Sequence, residues 1–171
     1  MASIDRLAIL TGGGDCPGLN AVIRSVTKAA LSHGLEVLGV EDGFGGLVNG
    51  QFMLLGEKDV SGILPRGGTI LGTSNRDNPF HFAIKNENGE TVYEDASDIA
   101  IENLRQAGAD ALIVAGGDGS QSIALDLARM GVNVVVLSES WSVLVSSRPC
   151  ASRNSMCQGF SRMVTEPNPP V

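Results

Sequence analysis

The chain has 171 residues, of which 43% are hydrophobic, and it carries a formal net charge of -7. This length can bury the core of one domain but is too short for two complete α/β lobes. The acidic balance argues against a nucleic-acid groove, and no apolar run is long enough to span a membrane or to form a signal-like N-terminus. We therefore expect a cytoplasmic protein that binds neither nucleic acid nor membrane.

The N-terminal part of the chain is predicted to form a β-α-β unit. An apolar strand over residues 7–10 leads into a glycine-rich turn over residues 11–20, and apolar positions at helical spacing follow up to Gly34. Residues 36–40 then predict a second strand. A right-handed crossover places the glycine turn at the carboxyl edge of a parallel sheet, where open α/β folds bind their ligands.

The middle of the chain has less regular patterning. Residues 42–50 contain four glycines and an Asn-Gly pair, so this segment is predicted to be a loop. Residues 73–94 are polar and are predicted to be an insertion over the sheet edge, with a hairpin turn at Asn88-Gly89.

Regular β-α alternation resumes after this insertion. Ser97 or Asp98 is predicted to cap a helix that Gly108 ends, and a buried strand follows at residues 111–115. A further helix and a strand over residues 132–137 complete the pattern; the helix has apolar positions at Ile123, Ala124, Leu127 and Met130. The predicted fold class is α/β, a Rossmann-like and mainly parallel sheet with helices on both faces.

The turn Gly116-Gly-Asp-Gly-Ser120 is the strongest chemical signal. Glycines let a phosphate approach the backbone, and the helix that follows offers unpaired N–H groups. A carboxylate beside phosphates is unfavourable unless a cation intervenes, so Asp118 is predicted to bind Mg²⁺; the alternative is that Asp118 caps the helix. Neither the GxxxxGK[ST] nor the GxGxxG fingerprint fits the chain.

Three motifs in this order resemble the N-terminal half of the phosphofructokinase family. They are Thr11-Gly-Gly-Gly-Asp-Cys-Pro-Gly-Leu-Asn20, Arg66-Gly-Gly-Thr-Ile-Leu-Gly72 and Gly116-Gly-Asp-Gly-Ser120. The resemblance covers residues 5 to 137 and implies the truncated first lobe of a phosphofructokinase-like fold. The function that it implies is glycolytic transfer of the γ-phosphoryl group of Mg-ATP to fructose 6-phosphate.

The resemblance also implies which residues bind ATP: Gly13, Arg76, Asp77, Gly117, Asp118, Gly119 and Ser120. Asp118 is the implied ligand of Mg²⁺. Gly119 favours ATP, because pyrophosphate-using relatives tend to have aspartate there. Asp15 is implied to organise the first turn, with a helix cap as the alternative. Phe44 resembles an aromatic position beside the adenine, although it could equally be a hydrophobic plug.

The resemblance stops after residue 137, and two segments are predicted: a lobe at residues 1–137 and an unrelated, disordered tail at residues 138–171. The family's TIDND loop, which supplies the catalytic base, does not occur in the chain. We therefore expect an inactive chain with unknown catalytic residues, which would meet fructose 6-phosphate only if the missing half were supplied.

Several alternatives stay open on the sequence alone. One is a non-catalytic nucleotide-binding remnant or a regulatory subunit that associates with a full-length relative. Others are a homo-oligomer, a pyrophosphate-dependent relative, and a relative of diacylglycerol or NAD kinases, which also have a GGDG turn. The first two motifs above count against the last of these.

Overall fold

The computed structural model describes residues 4–86, 89–138 and 143–146, and its centre is a six-stranded sheet. In chain order the elements are β1 (Arg6–Gly12), α1 (Leu19–Ser32), β2 (Glu36–Val40), α2 (Gly43–Asn49), β3 (Phe52–Leu54), β4 (Phe82–Lys85), β5 (Thr91–Glu94), α3 (Ser97–Gln106), β6 (Ala111–Gly116), α4 (Asp118–Arg129), β7 (Val134–Ser138) and β8 (Val143–Ser146). One turn of 3-10 helix, Pro79–His81, precedes β4.

The sheet has the order β3-β2-β1-β6-β7-β8. Its four central strands are parallel, and both edge strands are antiparallel to their neighbours. From β1 the chain first moves outward to β2, and later from β6 in the opposite direction to β7. The strand order therefore reverses between β1 and β6, and such a switch point opens a crevice at the carboxyl ends of the strands. The prediction of a mainly parallel α/β sheet is confirmed.

Helices cover both faces of this sheet, as the sequence predicted. Alternate residues of the central strands point to opposite faces, so Ile9 packs in one cluster with Ile23 of α1, while Leu10 belongs to a second cluster with residues of α2, α3 and α4. Ile9, Leu10 and Ile23 have no exposed surface. The strand β6 is buried along its whole length, which fixes the position of the turn that follows it.

The predicted loop at residues 42–50 is wrong, since Gly43–Asn49 forms the helix α2. Glycine has a low intrinsic helix propensity, but tertiary packing overrides it here. Phe44, Leu47 and Val48 lie on one buried face at helical spacing. Gly46 packs so closely against the carbonyl oxygen of Glu41 that a Cβ would collide with it. A Cβ on Gly43 would likewise lie 2.8 Å from the Thr11 carbonyl oxygen of β1. Two of the glycines that indicated a loop are thus needed for the close packing of α2.

The predicted caps of α3 also need correction. The N-cap residue is Ala96, and neither Ser97 nor Asp98 caps the helix. Instead the carboxylate of Asp95 accepts a hydrogen bond of 2.9 Å from the Ser97 N–H. A hydrogen bond from the Ser97 side chain, together with this backbone bond, holds the pKa of Asp95 below its ordinary value. In α4 the predicted apolar stripe is correct at Ala124 and Leu127, whereas Met130 is exposed.

The polar insertion contains the predicted hairpin, formed by β4 and β5. The Gly89 N–H donates to the Asn86 carbonyl in its connection, and Asn88 lies outside the described residues. Within the predicted tail, Val143–Ser146 forms β8 against β7. Ser138, also in the predicted tail, is the last residue of β7. The other tail residues lie outside the described part of the chain, so the boundary at residue 137 stays a prediction. Among the described residues, no helix has the length and hydrophobicity needed to cross a membrane.

Candidate functional site

A cleft with a volume of about 520 Å³ opens where β1 and β6 end. The two strands are paired in register up to Gly12 and Gly116, so the turns that follow them lie side by side. All of the residues that the sequence assigned to ATP binding line this cleft: Gly13, Arg76, Asp77, Gly117, Asp118, Gly119 and Ser120. Both turns follow parallel strands, which predicts that Gly13 and Asp118 open onto one cleft, and the structure confirms this. Their function there stays a proposal.

Glycines around the cleft divide into two groups by what surrounds them. A Cβ on Gly12 would lie 2.5 Å from the Ser120 Oγ, and a Cβ on Gly116 would lie 2.8 Å from the same atom. These two glycines are required by the close packing of the turns. By contrast, a Cβ on Gly117 or Gly119 would meet nothing within 4 Å. The packing of the chain does not require glycine at these two positions, which leaves open space for a ligand.

The turn at Gly13 is held by a neighbouring segment. Gly13 has φ 91°, a left-handed conformation that favours glycine. Its N–H donates to the Ser74 carbonyl at 3.2 Å, and its carbonyl accepts from the Thr73 hydroxyl at 2.9 Å. The Gly13 N–H is therefore already used, and what Gly13 offers a phosphate is the absence of a side chain rather than a hydrogen-bond donor.

Asp118 is the first residue of α4, and Gly117 occupies the N-cap position without a side-chain hydrogen bond. The alternative in which Asp118 caps the helix is therefore wrong. Its carboxylate is exposed and, within the part of the chain that the structure describes, makes no hydrogen bond or ion pair. The first α4 residues also leave backbone N–H groups without helical partners, because the ladder begins with the Gln121 N–H bonded to the Gly117 carbonyl.

One carboxylate at a helix N-terminus suits Mg²⁺ better than it suits a structural metal. No group of three or more His, Cys, Asp or Glu residues that could hold a metal ion occurs among the described residues. Mg²⁺ usually keeps several waters and binds through one or two carboxylates together with substrate phosphates. Asp118 therefore fits a magnesium ion that arrives with a phosphate ligand.

Arg76 and Asp77 lie on a different segment of the cleft wall. Arg76 is exposed. The Asp77 carboxylate lies against α2, where a Cβ built on Gly45 would be 2.6 Å from its Oδ2 atom. Sequence reasoning missed this contact because it treated the α2 segment as a loop.

Phe44 is only 1% exposed and belongs to the core beneath the cleft. This burial favours the hydrophobic plug over a free aromatic face beside an adenine. Ser122 and Asp126 also line the cleft and were missed. Asp118, Ser122 and Asp126 are spaced four residues apart, which places them on one face of a helix. This spacing could have predicted that they line the same cleft, but only the apolar face of α4 was considered.

The Arg66–Gly72 motif lies beside the first turn rather than in the cleft wall. The Asn20 amide donates to the carbonyls of Arg66 and Gly67 at 3.1 and 3.3 Å, and its oxygen accepts from the Ile70 N–H at 2.8 Å. Asn20 is 1% exposed, so these bonds satisfy a buried amide. The motif is thus structural in this fold, since it ties α1 to the segment that leads toward Arg76.

Asp15 does not cap α1, because Gly18 is the N-cap residue. Its carboxylate lies over Gly68 instead, where a Cβ would come within 2.7 Å of the Oδ2 atom. This contact supports the predicted organising function of Asp15, and it explains why a residue without a side chain is needed at position 68.

The fold and the cleft define a class: an α/β protein with two glycine turns and an exposed carboxylate, Asp118, at the switch point of a parallel sheet. The family model described as Phosphofructokinase matches residues 6–143, and the chain belongs to the phosphofructokinase family. This match also reaches six residues past the predicted boundary at residue 137.

Individual relatives agree with this assignment. ATP-dependent 6-phosphofructokinase 2 of Clostridium perfringens is 55% identical over 136 residues, which cover 79% of this chain and 37% of the relative. ATP-dependent 6-phosphofructokinase 3 of Bacteroides thetaiotaomicron is 43% identical over 131 residues, covering 76% of this chain and 37% of the relative. The chain thus spans little more than a third of the length of these relatives.

Among solved structures, phosphofructokinase of Pichia pastoris in the T-state superposes with a TM-score of 0.67 at 30% sequence identity. The superposition covers 81% of this chain and 15% of that one. The family and the mostly parallel α/β fold that the sequence predicted are confirmed.

Proposed function

We propose that this chain supplies the nucleotide-binding part of an ATP-dependent 6-phosphofructokinase and holds Mg-ATP in the cleft between the ends of β1 and β6. The observation that carries this proposal is the meeting of the Gly13 turn and the α4 N-terminus on one cleft, where the Asp118 carboxylate has no partner among the residues that the structure describes. The 55% identity to a relative named as ATP-dependent supports the choice of nucleotide.

In this proposal the start of α4 binds phosphate oxygens. Its free N–H groups and its dipole favour negative charge, and the open space at Gly117 and Gly119 admits the phosphates close to the backbone. Asp118 holds Mg²⁺, which, when bound, supplies positive charge that offsets the charge of the phosphates. The open space at Gly119 also favours ATP over pyrophosphate, since it leaves room for an α-phosphate.

Arg76 is proposed to reach the transferring phosphate from the cleft wall. Its guanidinium is exposed and always charged, and it can bind phosphate through two parallel hydrogen bonds. Asp77 keeps its carboxylate against α2 and is proposed to contact the nucleotide from there. Ser120 is 5% exposed at the foot of α4 and contributes mainly by setting the distance between the two turns.

Phosphoryl transfer to fructose 6-phosphate needs a base and a sugar site as well, and the chain contains no TIDND sequence. We therefore propose that this chain alone binds nucleotide without turnover, and that transfer requires association with a full-length relative in the cytoplasm that supplies the base and the sugar site. A homo-oligomer of this chain would add copies of the nucleotide site only. The non-catalytic regulatory subunit remains the alternative, favoured by the same missing motif.

The test is calorimetric titration of the purified 171-residue chain with ATP and with pyrophosphate, each with and without magnesium. We expect ATP to bind with magnesium and pyrophosphate to bind more weakly. A chain that is folded by circular dichroism but binds neither ligand would refute the proposal. A clear preference for pyrophosphate would instead assign the site to the other class of phosphofructokinase.

A further inference from the structure

A short segment, Thr73 and Ser74, bonds to both polar backbone groups of Gly13. The Thr73 hydroxyl donates to the Gly13 carbonyl at 2.9 Å, and the Gly13 N–H donates to the Ser74 carbonyl at 3.2 Å. Gly13 lies on the turn after β1, sixty residues before Thr73 in the chain. These two bonds therefore fix the orientation of the turn relative to a distant segment.

The same segment leads directly to Arg76. The Ser74 hydroxyl accepts a hydrogen bond of 3.2 Å from the Arg76 N–H, which turns the chain into the cleft wall. Gly13, Ser74 and Arg76 all line the cleft, whereas Thr73 is not among its lining residues in the described part of the chain. A change at Thr73 would therefore reach a bound ligand only through the residues that it positions.

Other bonds hold the backbone before Thr73 independently. The Thr11 hydroxyl donates to the Gly72 carbonyl at 2.7 Å, and the Asp42 N–H donates to the Leu71 carbonyl at 2.8 Å. Loss of the Thr73 hydroxyl would leave both of these bonds in place. We therefore expect a protein without the Thr73 hydroxyl to fold. Its Gly13 carbonyl would lack a hydrogen-bond donor, so the turn would be held less firmly against the cleft.

We propose that Thr73 is a positioning residue that sets the Gly13 turn against Arg76 and thereby sets the affinity of the site for Mg-ATP. This inference rests on the proposed function, because it concerns the same cleft. The proposed ligand contacts belong to Gly13 and Arg76. The Thr73 hydroxyl acts on the first through its hydrogen bond to the Gly13 carbonyl. It acts on Arg76 only along the chain, through the neighbouring Ser74, whose own hydroxyl accepts from the Arg76 N–H.

The first test compares Thr73→Val, which removes the hydroxyl and keeps the β-branched shape, with Thr73→Ser, which keeps the hydroxyl. Thr91→Val on the exposed strand β5 is the matched control for the same chemical change. We expect Thr73→Val to weaken Mg-ATP binding about 3- to 10-fold, as for loss of one hydrogen bond. Thr73→Ser should restore binding to within about twofold of the original chain, and Thr91→Val should not change it.

A double-mutant cycle with Arg76→Met separates positioning from general destabilisation. If Thr73 positions Arg76, then Arg76→Met should weaken binding less in the Thr73→Val background than in the original chain. Additive effects of the two changes would overturn the inference. Equal affinity of Thr73→Val and the original chain would overturn it too.

Stability is measured on each variant by thermal unfolding, so that affinity is compared only among folded proteins. Thr73→Ala provides a second way to remove the hydroxyl if Thr73→Val does not fold. If neither variant folds, the hydroxyl is a requirement for folding and the positioning inference is refuted. If the original chain binds no nucleotide, the proposed function is refuted. If the original chain binds nucleotide and Thr73→Val binds it equally well, only the positioning inference is refuted.

Discussion

The substitution Asp118→Ala should weaken ATP binding when magnesium is present and strengthen it when magnesium is absent. The carboxylate is exposed, stands at the start of α4 and has no partner among the described residues. With magnesium present, its loss removes one charged ligand of the metal. An interaction with a charged group contributes about 1.5–3 kcal/mol to the free energy of binding. Because Asp118 is exposed, its contribution should lie at the lower end of this range, so we expect roughly 10- to 30-fold weaker ATP binding.

Without magnesium the same substitution removes a negative charge that repels the phosphates. One unit charge about 5 Å away in water contributes about 0.8 kcal/mol, so ATP should bind up to roughly fourfold more tightly to Asp118→Ala in the presence of a chelator. The assay is calorimetric titration of both proteins in matched buffers with magnesium and with chelator. The two effects should have opposite signs.

The matched control is Asp98→Ala, since Asp98 is also exposed in the first turn of a helix, α3, but lies away from the cleft. Both substitutions should reduce stability by a similar amount, about 0.3–1 kcal/mol from loss of the helix-dipole interaction. Only Asp118→Ala should alter ATP binding. Equal weakening with and without magnesium would refute the metal role, because it would mean that Asp118 acts through the fold.

Gly12→Ala should destabilise the protein by about 1–3 kcal/mol in chemical denaturation, because its Cβ would overlap the Ser120 hydroxyl at the foot of the cleft; a fully stable variant would contradict the close packing of the two turns. The lowered pKa of Asp95 adds stability that is present above pH about 3.8 and is lost as the pH falls through the folded-state pKa. Asp95→Asn should accordingly reduce the loss of stability between pH 5 and pH 3, measured by unfolding at each pH, and an unchanged pH profile would be evidence against this contribution. The purified chain should not phosphorylate fructose 6-phosphate in a coupled assay free of host enzyme, because loss of the positioned base alone removes about 10²- to 10⁴-fold; robust turnover would show that the chain supplies a base of its own.

The elements that carry the site could be predicted because their signals are local. β1 and β6 are short apolar runs that end in glycines, and buried parallel strands have this pattern. Topology then placed their turns at one edge of the sheet, since consecutive β-α units cross over with one hand. These arguments located the cleft and the residues Gly13 and Asp118 without any coordinates.

The parts that could not be predicted depend on contacts between distant residues. The helix α2 forms because Phe44, Leu47 and Val48 reach the core, and glycine propensity alone pointed to a loop. The sequence placed Gly13 among the residues that bind ATP, but it did not show that the Gly13 N–H bonds to the Ser74 carbonyl. No local pattern encodes that pairing, because it follows from how the segment after residue 66 folds over α1.

The pairing of β1 with β6 joins residues about a hundred positions apart in the chain, with most of the remaining elements between them. Contacts of such long separation form slowly, since the intervening loop must be closed before they are made. The cleft opens where these two strands end, so it exists only in molecules in which β1 and β6 have paired. Nucleotide would then act as a folding ligand: by binding the native state alone it would stabilise the whole lobe, by about 2.7 kcal/mol at a hundred times its dissociation constant.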